Sequence, residues 1–273
     1  MSASIFDLQG KTAVVIGGTT GIGHALSLGL ADAGADVVAS ARRTEQVEQT
    51  AAQIEAKGRK TLRRTSDVQD RASLEALRDE VLKAFGKVDI LVNCAGITKR
   101  APTIDFPEED WNRIIDVNLT GTMRGCQVFG ESMLSRGYGR IVNIASLSTY
   151  VGLFEVAAYS ASKAAVGALT KVLAVEWSRK GVLVNAIAPG VFRTDLNATP
   201  FHISTSNKDG CPEGLPCHTD WDRSRDRPCT AQDLGDQPTC PEFRGARLLP
   251  GRRCRSGHRK CLWLGPVGFN ENH

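Results

Sequence analysis

The chain of 273 residues is long enough for one α/β domain with a large core or for two small domains. Its formal net charge of +4 is small for this length and its charges are interspersed, which argues against nucleic acid as a partner. It has no uninterrupted apolar stretch long enough to cross a bilayer, and no basic segment followed by an apolar one at its N-terminus. We therefore expect no membrane association and a cytoplasmic location.

The first predicted strand and helix are joined by a glycine-rich turn. Residues 12–17 form a short apolar, β-branched run, and residues 24–33 carry apolar side chains at helical spacing. The turn between them has the pattern Gly-x-x-x-Gly-x-Gly at Gly17, Gly21 and Gly23. Glycines let a backbone approach a pyrophosphate, and the amides at a helix N-terminus face its charge. The turn therefore predicts nucleotide binding, although glycine-rich turns without a ligand are also common.

Two further strand–helix pairs follow, with predicted strands at 36–41 and 60–65 and predicted helices at 44–57 and 71–85. At the end of the second strand, NAD enzymes place an acid that accepts from the ribose 2′-hydroxyl, and NADP enzymes place a cation for the 2′-phosphate. Ala41 occupies the position of the acid here, and Arg42 follows it. The sequence therefore favours NADP over NAD, with a solvated pair of Arg42 and Arg43 as the alternative.

A fourth strand is predicted at 88–93 and a helix at 107–125. Cys94 follows that strand, and we expect it to be an inert core thiol. Asn118 lies in the middle of the helix, where asparagine is unfavourable unless its amide is used. Asn118 is therefore a candidate functional residue.

The next predicted strand, at 140–145, leads into Ser146, and a helix is expected to carry Tyr159 and Lys163. Because Tyr159 and Lys163 are four residues apart, they lie on one face of the helix with the ammonium close to the phenol. A neighbouring cation lowers the pKa of a phenol toward a useful value for a general acid or base. Tyr-x-x-x-Lys alone is a weak signal, because a tyrosine often packs beneath a lysine stem.

The strand–helix alternation ends with a sixth strand at 183–188. Residues 198–273 then hold eight of the eleven prolines and six of the eight cysteines, without sustained periodicity. We expect one domain at 1–197 and an aberrant, disordered tail at 198–273 that results from a shifted reading frame. The cysteine spacings in that segment lack a Cys-x-x-Cys zinc signature, so no metal site is expected.

Residues 5 to about 197 resemble the short-chain dehydrogenase/reductase family in its single-domain form. The resemblance rests on the glycine turn, on Asn93-Cys94-Ala95-Gly96, which is close to the family's Asn-Asn-Ala-Gly, and on Ser146 placed thirteen residues before Tyr159. It implies a Rossmann-type, doubly wound parallel sheet. Family members that act on sugar acids such as gluconate and on 3-oxoacyl-carrier thioesters look similar.

The resemblance also implies roles for individual residues. Tyr159 would be the general acid/base and Ser146 a hydrogen-bond donor to the substrate oxygen, while Lys163 would lower the pKa of Tyr159 and hold the ribose. Asn118 would hold a water that links the lysine to solvent. The implied cofactor-binding residues lie at the glycine turn and the strand ends: Gly17, Thr19, Gly21, Ile22, Gly23, Arg42, Asp67, Val68, Asn93, Ala95, Gly96, Tyr159, Lys163, Pro189, Gly190, Val191 and Thr194. For Asp67, a helix N-cap is an additional interpretation.

The expected function is hydride transfer between NADP(H) and the carbonyl or secondary alcohol of a small molecule. The triplet Thr98-Lys99-Arg100 follows a strand end, where it could receive a carboxylate or phosphate; a solvated basic turn is the alternative. The rival function is a nucleotide-binding protein with impaired catalysis, because the family's substrate loop and last strand come from the segment that is unrecognisable here. A homo-oligomer is expected if the C-terminus is intact.

Overall fold

The structure is a computed structural model, and it describes residues 6–190 and 192. The predictions for Val191, Thr194 and residues 198–273 therefore lie outside the described residues. No helix in the described part of the chain is long and apolar enough to cross a membrane.

A parallel sheet of five strands forms the centre of the described region, in the order β2-β1-β3-β4-β5. The strands are β1 (Thr12–Ile16), β2 (Asp36–Ser40), β3 (Ile90–Asn93), β4 (Gly139–Ile144) and β5 (Val182–Ile187). β1 is buried along its whole length because it lies inside the sheet and is covered on both faces. The predicted Rossmann-type parallel sheet is confirmed.

Six α-helices in the described part of the chain cover the two faces of the sheet: α1 (Gly21–Asp32), α2 (Thr44–Ala56), α3 (Arg71–Phe85), α4 (Glu108–Ile115), α5 (Gly121–Arg136) and α6 (Ala157–Trp177). Alternate residues of β1 point to opposite faces. Val14 packs in a core with side chains of α3, α5 and α6, whereas Val15 packs with side chains of α1 and α2. Helices on both faces make the sheet doubly wound, as predicted.

The predicted strand at 60–65 is wrong, because the structure assigns no strand to this segment. The segment does run beside β2: the carbonyl of Lys60 accepts from the Val37 amide at 3.0 Å, and the Ser66 amide donates to Ala41 at 3.1 Å. Between these two bonds, the hydroxyl of Ser40 donates to the carbonyl of Arg64 at 2.6 Å, so a side chain takes the place of a backbone ladder bond. This run of β-compatible residues therefore lies beside β2 without forming a further strand.

The predicted helix at 107–125 is interrupted. α4 ends at Ile115, a π-helical turn spans Asp116–Thr120, and α5 then continues to Arg136. Single π-turns inside helices occur frequently at functional sites, because they displace a side chain from the regular helical spacing. This turn contains Asn118.

The carboxyl ends of the parallel strands meet at one edge of the sheet. Backbone bonds connect the segments just beyond them: the Cys94 amide donates to Ile16 at 2.8 Å, and the Leu147 amide donates to Pro189 at 2.9 Å. Side chains that follow different strands are thereby brought together at this edge, where open α/β sheets bind ligands.

Candidate active site

A cavity of about 580 Å³ lies along the carboxyl edge of the sheet. It is lined by the glycine turn after β1, by the segments after β2 and β3, by Ser146, by the start of α6 and by the segment after β5. Fourteen of the predicted cofactor-binding residues line it: Gly17, Thr19, Gly21, Ile22, Gly23, Arg42, Asp67, Val68, Ala95, Gly96, Tyr159, Lys163, Pro189 and Gly190.

The glycine turn is built for close backbone approach. A Cβ atom on Gly23 would lie 2.0 Å from the carbonyl oxygen of Gly17, and one on Gly17 would lie 2.5 Å from the amide nitrogen of Ala95. Gly17 also has a φ of +76°, a conformation that side chains disfavour. Thr20, the N-cap of α1, makes no side-chain capping bond, so the first amides of the helix are available to a ligand. The turn therefore fits the pyrophosphate of a dinucleotide.

Two arginines border the cavity beyond β2. Neither Arg42 nor Arg43 has an ion-pair partner among residues 6–190 and 192, although both line the cavity. Thr19 lies nearby in the lining and hydrogen bonds to Gln46 of α2 at 3.4 Å. This end of the cavity is therefore electropositive.

Asp67 lies at the same end of the cavity, and its interpretation as an N-cap is wrong. The side chain that caps α3 belongs to Asp70, which accepts from the Ala72 amide at 2.9 Å. Asp67 instead accepts from the Gln69 amide at 3.0 Å and borders the cavity. Its carboxylate is placed where it can accept from a ligand.

Ser146 begins a short 3-10 turn, Leu147–Thr149, directly after β4. Its hydroxyl accepts from the Ser148 amide at 3.2 Å, while Thr149 bonds both to the Ser146 amide and to the Lys163 carbonyl. Because the hydroxyl oxygen already accepts one bond, its proton is left to donate to a group in the cavity, which Tyr159 also lines. The turn thus fixes Ser146 relative to α6.

Lys163 is almost fully buried, with 4% of its surface exposed. Its Nζ atom donates to the carbonyl of Ile144, the last residue of β4, at 2.6 Å. Burial lowers the pKa of Lys163 to about 8, and the nearby thiol of Cys94 acts in the opposite direction. The group is therefore charged at neutral pH but close to its titration range.

The phenol of Tyr159 does not show the predicted effect of Lys163. Burial raises the pKa of Tyr159, and the hydrogen bond with Ser146 only partly offsets this. The Lys163 Nζ atom lies 5.9 Å from the centre of the ring and points to Ile144. The prediction that the lysine lowers this pKa is wrong for the structure described, because desolvation of the phenol is the larger effect.

Asn118 connects three parts of the site through its side-chain amide. Its Oδ1 atom accepts from the Ile97 amide at 2.8 Å, and its Nδ2 atom donates to the Ile97 carbonyl and to the Ser162 hydroxyl, both at 3.0 Å. Ser162 in turn donates to the carbonyl of Tyr159 at 2.7 Å. Asn118 does not line the cavity, so it holds the walls of the site in place.

Sequence reasoning missed Ser162, which is fully buried beside Lys163. A serine in mid-helix with no capping role was the available signal. Sequence reasoning also missed that Cys94 borders the cavity. Burial raises the pKa of its thiol, so it is mostly protonated at neutral pH and a weak nucleophile, in line with the expectation of inertness.

The expectation that Asn93 contacts the cofactor is corrected by the structure, which does not bring this residue to the cavity. Its side chain points into the protein and donates to Cys126 at 3.3 Å and to Asn143 at 2.9 Å. Asn143 continues this buried network to Thr170 of α6 at 3.0 Å. Asn93 therefore joins β3, β4 and the helices, and its neighbours Ala95 and Gly96 contact the cavity instead.

The three residues Thr98, Lys99 and Arg100 do not all reach the cavity. Only Thr98 lines the cavity. Lys99 is ion paired with Asp110 of α4, and Arg100 is ion paired with Glu155 at 3.5 Å. The lining on this side also contains apolar residues that the sequence did not single out: Ile97, Leu153, Val156 and Phe192. In the described residues, no group of three or more metal-ligating side chains is close enough to hold an ion.

Because the Lys163 ammonium is buried, we expect the stability of the protein to depend on pH. Below the folded pKa of about 8, Lys163 destabilises the folded state, and this cost disappears as the pH rises toward the usual value of 10.5. We expect the free energy of unfolding of Lys163→Met, minus that of the parent, to be larger near neutral pH than at alkaline pH. This difference should change by roughly 1–3 kcal/mol between the two conditions. Urea unfolding at several pH values measures this difference.

Lys171→Met is the matched control, since Lys171 is exposed on the same helix. This variant separates the loss of a buried ammonium from the loss of one positive charge on the same helix. A difference between Lys163→Met and the parent that is independent of pH would contradict the assignment.

Comparison with known proteins agrees with the site. Residues 11–202 match the short chain dehydrogenase family. A 2-dehydro-3-deoxy-D-gluconate 5-dehydrogenase of Bacillus subtilis is 40% identical over 234 residues, 85% of this chain and 90% of that protein. A D-threitol dehydrogenase of Mycolicibacterium smegmatis is 42% identical over 191 residues, 70% of this chain and 74% of that protein.

A crystal structure of a gluconate 5-dehydrogenase from Burkholderia cenocepacia, in complex with NADP and tartrate, has a TM-score of 0.69 at 38% identity. The match covers 72% of this chain and 77% of that chain. The glycine turn, the Ser146 turn and the Tyr159 helix all fall within the residues that match the family. The chain therefore belongs to the short-chain dehydrogenase/reductase family, oxidoreductases that act on alcohols and carbonyls with nicotinamide cofactors.

Proposed function

We propose that the chain is an NADP(H)-dependent enzyme that interconverts the secondary alcohol and carbonyl of a small polyhydroxy compound, with Tyr159 as its general acid and base. The observation that carries this proposal is the arrangement of Tyr159, which lines the cavity together with Ser146 and lies one helical turn from the buried Lys163. The D-threitol dehydrogenase and the gluconate 5-dehydrogenase among its relatives support a substrate of this kind.

When bound, the nicotinamide exchanges a hydride with the carbon of the reacting C–O bond. Tyr159 donates a proton to the oxygen of that bond in reduction and accepts one from it in oxidation. Because burial raises the pKa of the phenol, Tyr159 holds its proton at neutral pH and is ready to protonate an alkoxide during reduction. In the oxidative direction the phenol must first lose its proton, so alcohol oxidation becomes faster as the pH rises.

Ser146 and Lys163 support this proton transfer in different ways. The hydroxyl of Ser146 donates to the oxygen on which charge develops, which favours the transition state over the ground state. Lys163 holds a positive charge beneath the site, since its ammonium is fixed by the Ile144 carbonyl. Its free N–H groups are available to the ribose hydroxyls of the cofactor.

Asn118 and Gly96 suit a water-mediated path for the proton. A Cβ atom on Gly96 would lie 3.4 Å from the Oδ1 atom of Asn118 and 3.6 Å from the Nζ atom of Lys163. The absence of a side chain at Gly96 therefore leaves space beside a donor and an acceptor. In this proposal a water there relays protons from Lys163 toward solvent, as the family resemblance implies.

The test of Tyr159 is its replacement with Phe. We expect at least a roughly hundredfold loss of turnover, because the ring still packs and only the transferable proton is gone. The dissociation constant of NADPH, measured by its fluorescence, should change little. Tyr138→Phe is the matched control, since Tyr138 packs against Lys11 and Arg140 outside the cavity. Activity of Tyr159→Phe within a few-fold of the parent would refute the assignment.

The preference for NADP(H) rests on Arg42 and Arg43, which have no ion-pair partner among residues 6–190 and 192, and on Ala41, which offers no carboxylate to the ribose. We expect Arg42→Ala to weaken NADPH binding by roughly ten- to a hundredfold, because a charge-assisted phosphate contact is lost. NADH binding should be unaffected, and Arg179→Ala, outside the cavity, should change neither constant. Equal or tighter binding of NADH by the parent would contradict the preference.

A separate proposal concerns residues 198–273, which we infer to be encoded in a shifted reading frame. Its support is the abrupt gain of proline and cysteine after Asn197 and the end of the family match at residue 202. Reading the codons of residues 252–260 one base later also permits Asp-Ala-Ala-Gly-Gln-Val-Thr-Gly. In this proposal, an intact C-terminus would complete the substrate loop and a homo-oligomer in the cytoplasm.

Sequencing the encoding DNA around codon 198 tests this proposal. We expect a neighbouring frame to encode the family's C-terminal pattern, and the frame-restored protein to turn over ketones faster than the chain as given. If NADPH binds to both proteins but only the restored one has activity, the chain as given is the nucleotide-binding, catalytically impaired form. Gene sequence without such a frame would overturn the proposal.

A further inference from the structure

We propose that Arg124 is a positioning residue, which fixes the wall of the cavity that receives the adenosine half of the cofactor. This inference rests on the proposed function, because it concerns the cofactor of the same site. Arg124 does not itself line the cavity. It acts on two residues that do, Val68 and Val117, through the contacts of its guanidinium group.

Val68 lies at the end of the cavity that Arg42 and Asp67 border, since it directly follows Asp67 in the lining. Val117 also lines the cavity and belongs to the same buried apolar cluster as Val68. Because the nicotinamide reacts beside Tyr159, the adenosine half of a dinucleotide extends toward this opposite end. The two buried valines offer the flat face of its base an apolar surface.

The side chain of Arg124 holds Val68 to the π-helical turn. Its Nη1 atom donates to the backbone carbonyl of Val68 at 3.1 Å and to the Oδ1 atom of Asp116 at 2.9 Å. Asp116 immediately precedes Val117 in the turn. Only 20% of the Arg124 side chain is exposed, so these charge-assisted bonds are largely shielded from water. One side-chain nitrogen therefore connects the segment of Val68 to the turn of Val117.

Two further contacts close the same junction. The Nε2 atom of Gln69 donates to the Oδ2 atom of Asp116 at 3.1 Å, so each carboxylate oxygen has a donor. A Cβ atom on Gly121 would lie 2.8 Å from the Cβ atom of Val68, which shows that α5 packs directly against this residue. Loss of the Arg124 guanidinium would leave the Val68 carbonyl without this donor and Asp116 without this cation. We expect the wall to loosen as a result.

Calorimetry on the full chain tests this inference with two ligands, NADPH and adenosine 2′,5′-bisphosphate, which contains only the adenosine half. Arg124→Met retains an apolar stem and removes the charged donor. We expect it to bind both ligands at least about fivefold more weakly than the parent, because the charge-assisted bonds that fix the wall are lost. The factor should be the same for both ligands, because the nicotinamide half does not depend on this wall.

Three other variants separate positioning from altered folding and from general charge. Arg124→Lys should recover most of the affinity, because one ammonium nitrogen can donate to both acceptors, as the single Nη1 atom does. Arg124→Gln is a good helix former without the charge, and it should bind both ligands at least about threefold more weakly than the parent. It decides the question if Arg124→Met folds poorly. Arg113→Met removes the same charge from an exposed position on α4 and should leave both dissociation constants unchanged.

A misfolded fraction lowers the binding stoichiometry but not the dissociation constant of the folded protein, so calorimetry distinguishes the two effects. Equal weakening of both ligands in Arg124→Met or Arg124→Gln, with recovery in Arg124→Lys, supports the inference. Dissociation constants within about twofold of the parent values overturn it, and so does a loss that is clearly larger for NADPH than for the bisphosphate. Failure of the proposed function would instead appear in the parent protein, which would then bind neither ligand.

Discussion

The burial of the Lys163 ammonium is the constraint around which the site is built. An isolated charge at this depth is costly unless it is hydrogen bonded. Lys163 meets this requirement through the carbonyl of Ile144, so the first turns of α6 are held to the end of β4. No carboxylate in the described part of the chain pairs with it. The charge is therefore only partly compensated, which leaves it available to groups that enter the cavity.

The π-helical turn at Asp116–Thr120 also holds α6 in place, through the side chain of Asn118. It places the amide of Asn118 between the backbone of Ile97 and the hydroxyl of Ser162. Ser162 also bonds to the carbonyl of Tyr159, one turn earlier in α6. The segment after β3, the interrupted helix and α6 are thus connected through buried polar groups whose partners are all present. Networks of this kind fix a site more narrowly than apolar packing does.

The two ends of the cavity differ in how their positive charges are matched. Arg42 and Arg43 face the cavity without an acidic partner in residues 6–190 and 192, whereas Lys99 and Arg100 are each bound to an acid. Unmatched cations attract an anionic group, and matched cations do so much less. Anionic groups are therefore attracted more to the end that Arg42 and Arg43 border.

Local patterns in the sequence determined the parts of the fold that depend on neighbouring residues. The periodicity of the strands, the glycines at Gly17, Gly21 and Gly23, and the four-residue spacing of Tyr159 and Lys163 all depend on short-range geometry, so the parallel sheet and the glycine turn could be predicted. Most of the other residues of the cavity lining were expected only from the family resemblance. The strand at 60–65 could not, because the Ser40 side chain replaces a ladder bond there, and that contact forms only after folding.

Tertiary structure alone decided the properties that depend on burial and on distant partners. The pKa of Tyr159 rises because folding removes its phenol from water, an effect that the spacing to Lys163 does not contain. Asn93 turns toward Asn143, and Arg100 is matched by Glu155, which is 55 positions further along the chain. Sequence fixes which groups are available, but desolvation and charge pairing are set by residues that only the folded chain brings together.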